Sequence, residues 1–253
     1  MIARLDLENL MRVPYVEPDL GFDISPDGKR VAFSANPNGR WEIFILNPNT
    51  SEPKPIQISS GEGAKFTPRF SPNGKQLAFV IDLDGSENYD LFVYDFEQET
   101  HTNLTPATPH ALTTSFSWSP DGSQIAICSD QDGRFDTYLI SLQSGTIRKV
   151  LDQPRPDWVV HWSPAGQHLA VVSEAEGQDY RTTLVPLDGS EVLVIKKDGL
   201  VINAKGSHWS PDGHKVVFSS NVSGAYQIGI FDLATHITRL DRYDAAHLVI
   251  DRF

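Results

Sequence analysis

The chain has 253 residues, with 21 Lys and Arg against 33 Asp and Glu, a formal charge of −12. Its 40% hydrophobic and 21% charged content excludes a wholly disordered chain. The acid excess argues against nucleic acid as a partner, no apolar run reaches the roughly 18 residues of a membrane span, and Cys128, the only cysteine, rules out an internal disulfide or a cysteine-built zinc site.

In chain order, residues 1–19 form a lead-in whose only helix candidate is Leu5 to Met11, read as a short capping turn. Asp6 and Glu8 interrupt any apolar signal core, so no secretory signal is expected. A cytoplasmic, reducing location is the expectation, and the sequons at Asn49, Asn103 and Asn221 are then chance matches.

From residue 20 onward one tetrapeptide, Ser-Pro-x-Gly, recurs. It begins at Ser25, Ser71, Ser119, Ser163 and Ser210, with steps of 46, 48, 44 and 47 residues. Pro fixes φ for the first corner of a turn. Asp or Asn at the third place bonds nearby backbone, and Gly takes the positive φ that closes a hairpin. Ala165 is the weak member.

An apolar residue precedes each serine: Ile24, Phe70, Trp118, Trp162 and Trp209. A short apolar run follows each glycine, such as Leu77-Ala78-Phe79, and reads as a strand buried on both faces. A second turn carries Gly39, Gly85, Gly133, Gly177 or Gly224, and two further strands complete the period. Four short antiparallel strands every 44–48 residues predict an all-β propeller with five legible blades. The blades fall near 20–59, 66–105, 113–151, 157–196 and 204–241. Asp251-Arg252-Phe253 matches Pro68-Arg69-Phe70 in register, so 247–253 is predicted to be the first strand of a sixth blade, cut short.

The repeat apolar-Ser-Pro-Asp-Gly-Lys-x-apolar-Ala-Phe resembles TolB-type propeller repeats over residues 20–253. The segment Leu7 to Val16 resembles the lead-in to the propeller of prolyl oligopeptidase family serine peptidases, of the acylaminoacyl and dipeptidyl peptidase kind. That resemblance implies a module that covers an active site and filters peptides. It also implies a serine peptidase domain in a longer parent protein. Such domains carry a Gly-x-Ser-x-Gly nucleophile elbow, which is absent here, so the family's catalytic Ser, Asp and His map onto no residue of this chain. The expectation is a non-catalytic binding or gating module without a cofactor. The alternatives are a free-standing TolB-like interaction scaffold and, third, a propeller lyase or hydrolase using channel histidines.

Two residue sets are candidate sites. The loops between second and third strands are acidic: Asp82, Asp84, Glu87 and Asp90, then Asp130, Asp132 and Asp136, then Glu174, Glu176 and Asp179. Only Arg134 and Arg181 in the same loops offset them, so an acidic rim is predicted to attract a peptide or protein partner of cationic character. Its bland counterpart is a solvated face. Asp82-Leu83-Asp84-Gly85 opens like a calcium loop but lacks the twelve-residue spacing and flanking helices of an EF-hand, and Tyr89 and Asp90 after it are better read as the start of a strand. His161 and His208 occupy one repeat position and are predicted to approach each other across neighbouring blades, as a partial metal site or as structural donors. The equivalent positions are Asp23, Arg69, Ser117 and Arg252.

Overall fold

The computed structural model describes residues 21–106, 110–177 and 179–241. The expected lead-in 1–19, its helical turn, and the strand expected at 247–253 lie outside the described residues. Two compact units divide the chain, Met1–Ser115 and Phe116–Phe253.

The first unit holds two four-stranded antiparallel blades. One is β1 (Phe22–Ile24), β2 (Val31–Ala35), β3 (Glu42–Leu46) and β4 (Ile56–Gln57); the next is β5 (Ala64–Phe70), β6 (Gln76–Asp82), β7 (Tyr89–Asp95) and β8 (Thr100–Asn103). Three more blades follow, all but the start of their first strand in the second unit. They are β9 (Leu112–Trp118), β10 (Gln124–Ser129), β11 (Asp136–Ser141) and β12 (Ile147–Leu151), then β13 (Asp157–Trp162), β14 (His168–Glu174), β15 (Tyr180–Pro186) and β16 (Leu193–Val194). A two-stranded hairpin comes next, β17 (Lys196–Lys197) and β18 (Leu200–Val201), and then the last blade, β19 (Lys205–Trp209), β20 (Lys215–Ser220), β21 (Gln227–Asp232) and β22 (Ile237–Asp241). The described residues contain no helix, and the predicted propeller blades are what the chain builds.

Each blade is a meander because its strands are joined by tight turns. The Ser-Pro-x-Gly tetrapeptide joins the first strand to the second, and its glycine lies at φ 69° to 76° in all five copies. The glycine N–H donates to the serine carbonyl at 2.8–2.9 Å. The serine hydroxyl is the hub. Its Oγ accepts the N–H five residues on, at 2.9 Å in Arg30 and 3.0 Å in Gln76, and donates to the third-place side chain, at 2.7 Å in Asp27 and 2.9 Å in Asn73. That side chain also accepts the N–H after the glycine, so a single carboxylate or amide oxygen closes the turn. Ala165 supplies no such oxygen, and Ser163 Oγ there still accepts from His168 N at 3.0 Å.

Second strands carry the core. Leu77, Ala78 and Phe79, Ile125 and Ala126, and Leu169 to Val171 are fully buried or nearly so, as strands covered on both faces must be. The last blade differs, since β20 alternates and Val217 is 38% exposed where Ala32, Ala78, Ala126 and Ala170 are at 0%.

The position before each apolar residue links neighbouring blades. Asp23 Oδ2 accepts from Phe70 N at 2.7 Å in the first unit, and Ser117 Oγ accepts from Trp162 N at 3.0 Å in the second. Burial raises the Asp23 carboxyl above its usual range, against the lowering effects of the Phe70 N–H and of Arg69.

Candidate functional site

The ten carboxylates of the expected rim divide by what their own loops do with them. In the first unit Asp82 is buried and accepts from Gly85 N at 2.8 Å and Glu87 N at 3.3 Å, and Asp84 accepts from Ser86 N at 3.1 Å. Asp90 accepts from Asn103 Nδ2 at 3.0 Å and Thr105 Oγ1 at 3.3 Å. The Asp-x-Asp-Gly loop therefore folds on its own carboxylates, and Glu87, at φ 61°, is left exposed.

In the second unit a cation that loop-by-loop reading overlooks neutralises the third blade. Lys149 reaches from the outer strand β12 and places Nζ 2.8 Å from both Asp132 and Asp136. Register accounts for this, because Lys149 pairs with Tyr138 on β11, in line with the loop that carries Asp132. Arg134 adds Nη2 contacts of 2.9 Å to Asp136 and 2.7 Å to Asp152. The Tyr138 hydroxyl donates to Asp132 at 2.8 Å, and burial followed by that carboxylate pushes it up to about 12. Asp136 is 1% exposed, so these two blade-three carboxylates belong to a satisfied network. Asp130 lies beside it, its carbonyl accepting from Gly133 N at 2.7 Å.

The fourth blade is where acid remains available. Glu174 ends β14 and accepts from Trp158 Nε1 at 3.1 Å. Glu176 and Asp179, in the loop after it, are exposed, with no cation paired to them among the described residues. Glu174 and Asp179 share a groove of about 650 Å³ with Tyr180, Asn221, Lys205 and Tyr226. Lys205 Nζ stands 4.7 Å from the Tyr226 ring centroid, and the hydrogen bond to Tyr226 raises its pKa. The wall thus holds two carboxylates, two tyrosines and Asn221, with one lysine already engaged over the Tyr226 ring. Such a lining suits an ammonium or guanidinium group joined to an apolar stem. Lys205 and Tyr226 escape a loop-by-loop charge count because they belong to the next blade.

A second buried acid opens β13. Asp157 accepts from Thr137 Oγ1 and Ser173 Oγ at 2.7 Å and from Gln153 Nε2 at 2.5 Å, and burial raises its pKa despite these bonds. Arg181, the other counted cation, hydrogen-bonds Gln153 Oε1.

The structure brings His161 and His208 together, with ring centroids 4.6 Å apart. The His161 carbonyl also accepts from Trp209 Nε1 at 3.2 Å, the same kind of inter-blade tie that Asp23 and Ser117 make with side chains. Among the described residues no three His, Cys, Asp or Glu side chains converge on a common metal position.

Repeat geometry of this kind defines a propeller built of TolB-type blades. Residues 11–200 match the family model described as the TolB beta propeller domain, and the chain belongs to that family. It is 28% identical over 192 residues to a Bacillus subtilis (strain 168) protein named Uncharacterized peptidase YuxL, covering 62% of this chain and 29% of that one. An oligogalacturonate lyase solved with manganese superposes with a TM-score of 0.73 at 16% identity, over 90% of this chain and 66% of the lyase. A puromycin hydrolase superposes with a TM-score of 0.71 at 15% identity, over 92% of this chain and 39% of the hydrolase. At these identities the structural matches establish the fold alone. The chain spans from a fifth to about half the length of the curated relatives it matches. No Gly-x-Ser-x-Gly elbow occurs in the sequence.

Proposed function

We propose that this chain is the non-catalytic, peptide-binding and gating propeller of a prolyl oligopeptidase-type peptidase, and that the groove between its fourth and fifth blades receives cationic peptide segments. The observation that carries this reading is the groove lining, in which Glu174 and Asp179 face Tyr180 and Tyr226. The peptidase relative adds family context. Binding without chemistry is the role that fits a lining with no activated nucleophile. The test is incubation of the chain with a lysine-rich peptide, with retention and peptide mass followed together. Retention of intact peptide supports the reading. Cleavage, or labelling of a folded-state serine by a fluorophosphonate probe, contradicts it.

A free-standing interaction scaffold is the second reading. The observation favouring it is the hairpin β17–β18, which exposes Leu200 and Val201 beside the exposed Val222.

A further inference from the structure

The loop between β20 and β21 is a wall shared by two recesses. Asn221 and Tyr226 line the acidic groove, while their chain neighbours Val222 and Gln227 line a second recess of about 430 Å³. The other side of that recess is the hairpin β17–β18, with Leu200, Val201 and Ile202. Its volume falls within the roughly 300–1,000 Å³ of small-ligand sites.

The second recess offers apolar surface. Leu200, Val201 and Val222 are 71%, 51% and 49% exposed. They are not exposed for want of an anchor. Ile195, Ile202 and Ala204, on either side of the hairpin, are buried in the core between the fourth and fifth blades, against Leu184 and Phe218. Thr238 Oγ1 on β22 donates to the Lys196 carbonyl, and register sets Leu200 opposite Lys197. A hairpin held at its base and side presents its apolar residues at a fixed place. The charges at its edge offset each other, with Lys197 Nζ 3.7 Å from Asp198. The recess therefore adds an apolar contact to the site without adding net charge.

The two recesses are braced as one unit. The buried Asn203 accepts from Tyr180 N at 3.0 Å and donates Nδ2 to Asn221 Oδ1 at 2.7 Å, which ties both walls of the acidic groove to the chain that leaves the hairpin. Consecutive Cα atoms are about 3.8 Å apart, so Asn221 and Val222 set the recesses within a few residues of an extended peptide. A chain whose cation is drawn to Glu174 and Asp179 brings its neighbouring side chains over Leu200, Val201 and Val222.

We infer that the two recesses form one bipartite site, which selects peptides carrying an aliphatic residue within a few positions of a basic one. Charge complementarity at the groove names the ligand, and the shared loop places its aliphatic side chain. The inference rests on the reading of the groove as a site for cationic peptides. It adds a preference for what flanks the cation, which the groove alone does not supply.

The test titrates acetyl-Lys-Lys-Leu-Leu-amide and acetyl-Lys-Lys-Gly-Gly-amide into wild type and into Leu200→Ser/Val222→Ser. Both substituted residues are exposed, so the variant is expected to melt with wild type. Wild type is expected to bind the leucine peptide about fivefold or more tightly than the glycine peptide. That ratio is expected to hold as salt rises while both affinities fall, because salt screens the lysines and not the leucines. In the variant the ratio is expected to drop to about one, with the glycine peptide bound as in wild type. Equal binding of the two peptides by wild type overturns the inference and leaves the groove reading standing. A leucine preference that persists in the variant overturns it too, since the leucines then bind elsewhere. Failure of both peptides to bind removes the groove reading and this inference with it. Self-association of wild type that the variant abolishes also overturns it, because a second copy then covers the hairpin.

Discussion

Lys65 places its Nζ 3.2 Å from Glu42 Oε1, and the two side chains, on neighbouring blades of the first unit, are 0% and 8% exposed. The ammonium also donates to the carbonyls of Gly61 at 2.9 Å and Gly63 at 3.0 Å, and Ser59 Oγ donates to Glu42 Oε2 at 2.5 Å. Every donor and acceptor of the pair is directed inward, which is the arrangement that lets a buried ion pair persist.

Removing one partner leaves the other charge buried. Lys65→Met is expected to cost about 3–5 kcal/mol in a denaturant melt. The double variant Lys65→Met with Glu42→Leu is expected to recover most of that loss, because an apolar pair of similar volume does not strand a charge. A double variant as unstable as the single one would show that the two side chains matter for shape and not for charge.

The turn glycines give a second ordering. Gly122 lies at φ 72°, which a β-branched residue takes only with strain. Gly122→Val is expected to destabilise by about 2 kcal/mol or more, given the cost of roughly 1–2 kcal/mol for any L side chain there. Asp121→Ala loses the bonds to Ser119 and Ser123 but creates only what Ala165 already tolerates, so its cost is expected near 1 kcal/mol. Thermal melts that rank alanine as the worse change would contradict the turn geometry.

The same turns set an acid limit. Hydrogen bonds from Ser25, Ser119 and Ser210 hold the carboxyls of Asp27, Asp121 and Asp212 below the ordinary aspartate value of 3.8. A lowered folded-state pKa contributes stability that is present above 3.8 and is lost as pH falls through the folded value. Asp157 and Asp23 work in the opposite sense, because burial raises both, so protonating them in the fold is favourable as pH falls. The melting temperature of wild type is therefore expected to drop below about pH 4 more steeply than that of a triple Asp27→Asn, Asp121→Asn, Asp212→Asn variant. Asparagine keeps the bonds, as Asn73 does with Ser71 and Lys75, and removes the titration. Parallel acid profiles for the two proteins would refute this assignment.

The blades are legible in the sequence because Ser-Pro-x-Gly states its own geometry: one fixed φ, one positive φ, and a side chain able to bond between them. The role of the serine is not, since a hydroxyl can serve many turns and only the structure shows Ser71 Oγ joining Asn73 and Gln76. The hairpin β17–β18 is not legible either, although Asp198 and Gly199, at φ 51° and 79°, form the Asp-Gly pair that favours a tight reversal. Its strands are two residues each, too short for any period to register. The approach of His161 to His208 follows from the repeat alone, because equivalent positions on adjacent blades must be neighbours. The charge of the rim does not. Lys149 and Lys205 lie far from the acidic loops in sequence, and strand register or blade adjacency is what carries them there.

The most direct test of the binding account is a salt-dependent titration at the groove. A tetralysine peptide and its fully acetylated, neutral counterpart are titrated into wild type, into Glu176→Gln/Asp179→Asn, and into Asp132→Asn, whose carboxylate is already paired with Lys149. Exposed charges act within about 10 Å at 0.1 M ionic strength, so the groove effect belongs to low salt. The account predicts that wild type binds tetralysine and not the acetylated peptide. It predicts at least fivefold weaker binding in the double variant at low salt, with slower association, little change in Asp132→Asn, and convergence of all three at high salt. Equal binding by wild type and the double variant at low salt, or no binding by either, would contradict it.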